Sequence, residues 1–125
     1  MTTIVLWVDR FEECAEFYRV LLRGSIEDRS ETFLNVVSSA GRVALHKVPA
    51  EWASEIESPP VLRETNPIKP VFMVNSIALV RDLIEQTEGR ILEASKEFSH
   101  GDFTYCDGFD PDGNIIQACE ETSHE

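Results

Sequence analysis

Positive charge is scarce in this chain. Lys and Arg number 11 against 23 Asp and Glu, a formal net charge of −12 over 125 residues. That balance argues against a nucleic-acid partner, because a phosphate backbone demands a basic footprint. It disfavours an anionic membrane surface for the same reason. Long apolar runs are missing too, and no stretch nears the ~18 residues of a membrane span. Cysteine is sparse: Cys14, Cys106 and Cys119 are odd in number and lack a C-x-x-C spacing, which speaks against a disulfide framework or a structural zinc site. The N-terminal Met-Thr-Thr-Ile-Val-Leu has no basic segment of a secretory signal, so the expectation is a reduced, cytoplasmic protein. A phosphate-cradling glycine loop, a G-x-S-x-G elbow and an H-E-x-x-H pair are all absent.

Hydrophobic residues make up 42% and charged residues 27%, the proportions of a globular chain with a real core. Residues 1–125 read as a single domain. Thr3 to Asp9 alternate as a strand, and Asp9 is placed to cap a helix. From Phe11 to Leu22 apolar residues recur at three- and four-residue spacings, and Gly24 ends that helix. Ser25–Arg29, Thr32–Ser38 and Arg42–Lys47 read as three further strands. Pro49, Pro59, Pro60 and Pro67 then interrupt the pattern, so residues 48–67 read as a linker loop with a helical turn at Ala50–Ile56.

The order restarts after the linker. Lys69–Asn75 is a strand, Ser76 caps the helix Ile77–Gln86, and Gly89 ends it. Arg90–Ala94, Phe103–Cys106 and Asn114–Cys119 follow as strands. At one constant offset Leu6 matches Phe72, Val8-Asp9 matches Val74-Asn75, and Phe17 matches Leu83. The expected fold is therefore α+β: two βαβββ modules, 1–47 and 68–121, with curved mixed sheets forming a half-barrel cavity. The chain closes on Asp110-Pro111-Asp112-Gly113-Asn114, a turn in which proline presets one φ, Asp112 can bond the backbone downstream and Gly113 supplies a positive φ. Together with the repeat and Glu16-Phe17-Tyr18 in the first helix, this ending resembles the glyoxalase / bleomycin-resistance / extradiol dioxygenase proteins, the vicinal oxygen chelate superfamily.

Strand alternation assigns faces without reference to any family. Ile4, Leu6, Val8, Val43, Leu45, Phe72, Val74, Ile116 and Ala118 belong under the helices. The opposite, concave face is then lined by Val5, Trp7, Val71, Met73 and Ile115, with Thr3, Arg42, His46, Lys69, Gln117 and Cys119 as sparse polar groups. A mostly apolar hollow of this kind suits a small ligand; it equally suits a second core layer or a dimer seam. Trp52 in the linker can close over it, and Tyr105 can add a hydroxyl.

The resemblance carries a further test. Metal-dependent members place one His, Glu or Gln ligand on the first and last strand of each module. Those positions hold Thr3, His46, Lys69 and Gln117 here. One imidazole and one amide do not make the three or more donors a divalent ion needs, and Lys69 would repel it. Adding Cys119 leaves too few, and His100 lies in a loop. No metal and no cofactor are expected. The first expectation is a metal-independent protein that sequesters a small molecule through Val5, Trp7, His46, Trp52, Lys69, Met73, Tyr105 and Gln117. The alternatives are a metal-dependent lyase, isomerase or dioxygenase, and a metal-free acid–base enzyme using His46 or Lys69. His46 can be a base or a histidine that bonds a neighbour. Lys69 can form a Schiff base, hold a carboxylate or reach solvent at a strand start. Arg42, His46 and Lys69 would make the hollow locally positive, against the sign of the whole chain. The resemblance also implies a homodimer.

Overall fold

A computed structural model describes residues 2–53 and 62–122. The chain builds two open, curved mixed sheets with helices packed on one side of each. In the first half, β1 (Thr3–Val8), α1 (Phe11–Leu22), β2 (Ser25–Glu27), β3 (Phe33–Ser38) and β4 (Gly41–Lys47) give the strand order β1-β4-β3-β2, with β1 and β4 parallel. A short α2 (Ala50–Ala53) follows; the rest of the helical turn expected to Ile56 lies outside the described residues. In the second half, β5 (Val71–Met73), α3 (Ile77–Ile84), β6 (Arg90–Ile91), β7 (Phe98–His100), β8 (Phe103–Phe109) and β9 (Ile115–Glu121) give the order β5-β9-β8-β6, the same path.

Several elements depart from expectation: β2 ends at Glu27 rather than Arg29, β5 keeps only Val71–Met73 of the expected Lys69–Asn75, and α3 stops at Ile84 rather than Gln86. The strand expected at Arg90–Ala94 stops at Ile91, and Ala94–Lys96 forms a 3-10 turn. An additional strand, β7, then pairs with the first half of β8, so β6 and β7 share one edge of that strand. β8 itself runs on to Phe109 rather than stopping at Cys106. The short apolar run at Phe103–Cys106 is a period signal only, whereas Asp107 and Gly108 stay in the strand because β9 pairs with them.

One core lies between sheets and helices. Val8, Phe17, Tyr18, Leu34, Val36, Val43, Leu45, Ile84 and Ala118 are fully buried within it. The repeat is visible in burial: Phe11, Cys14 and Tyr18 of α1 are matched by Ile77, Val80 and Ile84 of α3. Leu83, matched to Phe17, is only partly buried.

The helix ends correct two expectations. Asp9 does not cap α1; its own backbone N–H and that of Arg10 donate to the carboxylate of Asp112, at 2.6 and 3.1 Å. The turn-forming carboxylate is Asp110, whose Oδ1 accepts from the backbone N–H groups of Asp112 and Asn114. At the second module Glu120 Oε1 accepts from the backbone N–H of Ile77 at 2.8 Å, beside the Ser76 cap of α3. A carboxylate from the closing turn or last strand thus faces the positive N-terminal end of α1 and of α3. Arg23, not Gly24, takes the left-handed position after α1. Gly24 is needed for a different reason: a Cβ there would stand 2.5 Å from the carbonyl oxygen of Val37.

Candidate functional site

The faces follow alternation. On β1 the side chains of Ile4, Leu6 and Val8 turn to the core, while Val5 and Trp7 are 55% and 53% exposed. Parallel pairing sets Trp7 beside His46. Neighbouring strands lie about 4.8 Å apart, a spacing at which two flat rings in register can stack, and these do, with centroids 4.5 Å apart and planes 18° from parallel. Phe33 of β3 flanks His46 on its other side at 4.8 Å, and Trp52 of α2 approaches Trp7 to 6.2 Å. The result is an aromatic platform on the open face of the first sheet. His46 does not bond a neighbour, as a strand histidine was expected to: among the described residues no hydrogen bond or ion pair holds it, and no carboxylate orients its ring. Nothing in its described surroundings therefore fixes which ring nitrogen carries the proton.

A second group forms on the open face of the second sheet, where Val71 and Met73 are half exposed. Register places Gln117 between Val71 on β5 and Asp107 on β8. Asp107 accepts from Gln117 Nε2 and from Lys69 Nζ, both at 3.0 Å. Sequence reasoning missed Asp107 because β8 was read as ending one residue before it; alternation from Tyr105 was the available signal. The pair gives Lys69 a definite role and corrects the expected local field, since Asp107 cancels its charge. A Schiff base at Lys69 would first have to break this pair. Beside it opens a cleft of about 280 Å³ whose apolar walls include Leu62, Leu92, Phe109 and Ile115. Further along the same face Tyr105 stacks on Phe98 at 5.4 Å. Cys119, opposite Tyr105, is buried, and burial pushes its thiol up, away from the reactive thiolate. His100 sits exposed at the end of β7.

The positions implied as metal ligands fall into two pairs. Thr3 and His46 lie on the first sheet, and Lys69 and Gln117 meet on Asp107 beside the second. Among the described residues no ring contact, hydrogen bond or cleft joins one pair to the other, and no three His, Cys, Asp or Glu side chains converge. The Lys69 ammonium has no lone pair to give a divalent cation, and the Gln117 amide, with Nε2 on Asp107, offers one neutral oxygen beside that positive charge. These residues do not fit a metal.

No protein-family profile and no curated protein matches this sequence. Solved structures do match its shape. A glyoxalase/bleomycin resistance protein from Albidiferax ferrireducens superposes with a TM-score of 0.68 at 18% identity, covering 97% of this chain and 98% of that one. The bleomycin resistance determinant encoded on the transposon Tn5 gives 0.64 at 15% identity, with 97% of each chain covered. The fosfomycin resistance protein FosX from Listeria monocytogenes, in a complex with Mn(II) and a dihydroxypropylphosphonic acid, gives 0.67 at 11% identity over 98% and 90%. The fold is that of the glyoxalase / bleomycin-resistance proteins.

Proposed function

We propose that this protein binds and sequesters a small, partly aromatic molecule on the open faces of its sheets, without a metal and without turning it over. The observation that supports this most is the half-exposed platform of Trp7, His46, Phe33 and Trp52. Large flat side chains left in water bring apolar area and stacking to a ligand at small entropic cost. Polar groups on these faces are few: Lys69 and Gln117 are bonded to Asp107, and the His46 ring is packed between Trp7 and Phe33, a sparse polar set of the kind that orients a ligand. A second copy of the chain, in the cytoplasm, is the proposed cover for the apolar face of β1 and β5. Sedimentation should then show a two-chain species, and a monomer at every accessible concentration would remove that part of the reading.

The test follows tryptophan emission, since the chain holds two tryptophans and both are in the platform. Chelator-treated protein is titrated with bleomycin and with 2-naphthol. A saturable change is expected with at least one, and Trp7→Ala should weaken it roughly tenfold or more, about 1.4 kcal/mol. No saturable change with either compound, or binding that returns only with added zinc, nickel, iron or manganese, would sink the proposal. In the second case the metal-dependent alternative would gain.

A further inference from the structure

We propose that the cleft beside β8 and β9 is a receptor for an ammonium or amidinium group carried on a small apolar body, and that Lys69 is the tethered stand-in for that cation. This rests on the small-molecule reading and adds the charge and class of the ligand.

Lys69 itself demonstrates the site, because its ammonium already sits on Asp107 Oδ2 at 3.0 Å. The other carboxylate oxygen is occupied by Gln117, a side chain buried in the sheet, so the acceptor is fixed from behind. Turning Nε2 to Asp107 leaves Gln117 Oε1 as a further acceptor for a second N–H. Lys69, by contrast, is loosely held. It precedes β5 between Pro67 and Pro70, outside any strand, and its side chain is 37% exposed in the pair. Exposed ion pairs contribute about 0–1 kcal/mol, so displacing this one costs little.

Charge decides the sign of the ligand. Glu64 also lines the cleft, and among the described residues no cation pairs with it. With Lys69 in place the cleft carries one cation against two carboxylates; with Lys69 displaced it carries the two carboxylates alone. An anion would meet that field unfavourably at either stage. The surplus of acid over the whole chain acts in the same direction at long range. Leu62, Leu92, Phe109 and Ile115 supply the apolar contact for the rest of the molecule, and about 280 Å³ suits a ligand of about one ring, at the small end of known pockets.

The experiment measures affinity of the 125-residue chain at neutral pH for benzylammonium, benzyl alcohol and benzoate, which share a ring and differ in charge. Wild type, Lys69→Met and Asp107→Asn are compared, with circular dichroism to show that all three are folded. The wild type is expected to prefer benzylammonium and to reject benzoate. Lys69→Met should tighten benzylammonium by about tenfold, because the competitor is gone, and Asp107→Asn should erase the preference. Weaker benzylammonium binding in Lys69→Met, or benzoate as the tightest probe, would overturn the inference in favour of Lys69 as an anion receptor. Equal affinity for all three would overturn the ligand class and leave the small-molecule reading intact. No binding of any probe to either the wild type or Lys69→Met would overturn the cleft as a site, while the tryptophan titration judges the aromatic platform independently.

Discussion

Asp110→Ala is expected to destabilise the protein by roughly 3–5 kcal/mol, the cost of breaking a fully satisfied buried charge network from one side. Asp110 is completely buried. Its carboxylate accepts from Tyr18 Oη at 2.7 Å, from Asn114 Nδ2, and from the backbone N–H groups of Asp112 and Asn114. Alanine would leave these donors without an acceptor where water is excluded. Tyr18 belongs to α1 and Asp110 to the closing turn, so the network also holds the last part of the chain against the first helix. Asp112 adds its two bonds to Asp9 and Arg10 at the start of that helix. Against a total stability of about 5–15 kcal/mol, the loss should appear as a large drop in the urea midpoint. Tyr18→Phe removes one donor and spares the rest, so its cost should be smaller, about 1–3 kcal/mol. Equal midpoints for wild type and Asp110→Ala would show that the network contributes nothing net.

The same residue gives a dependence on pH with a definite sign. Burial, the dominant cause, raises the Asp110 carboxyl above its ordinary value of 3.8, although the bonds from Tyr18 and Asn114 oppose the shift. An acid raised in the folded state binds its proton more tightly there than in the unfolded chain. Its contribution is present below 3.8 and is lost as pH rises through the elevated value. Measured as wild type minus Asp110→Asn, stability should therefore fall as pH is raised across that interval. A difference that rises instead would mean that the four hydrogen bonds outweigh desolvation.

Gly89→Ala is the second large effect. A Cβ at this position would lie 2.1 and 2.4 Å from two ring carbons of Phe17 and 2.9 Å from the carbonyl oxygen of Phe109. Phe17 is fully buried and cannot swing aside, being packed edge-on against Tyr18 at 5.0 Å. Overpacking of this kind costs about 1–3 kcal/mol or more. Gly89 was read as a helix terminator, but α3 already ends at Ile84 and Glu85 keeps helical angles. Its role is to let the chain pass the ring. The contact predicts non-additivity: Gly89→Ala in a Phe17→Leu background should cost at least ~0.5 kcal/mol less than in wild type. Strictly additive losses in a double-mutant cycle would place the strain elsewhere.

Much of the architecture is legible from local pattern. Helical periodicity delimits Phe11–Leu22 at the ends found in the fold, and two-residue alternation sorts Ile4, Leu6 and Val8 from Val5 and Trp7. Both signals are short in range, because a buried face imposes its period on neighbouring residues. The same reasoning fails where the partner is distant in sequence. Asp112 reaches α1 across about a hundred residues, and β7 needs β8 to exist at all.

What the linear chain determined, then, is which residues turn inward, that the two halves repeat, and that cations are few. Those follow from hydrophobic burial and from counting charge. Tertiary structure alone decided that Trp7 would stack on His46, that Asp107 would hold both Lys69 and Gln117, and that Asp110 would receive Tyr18. Each of these depends on strand register or on a buried polar contact between segments far apart, and no local period encodes which donor will face which acceptor once the sheets are assembled.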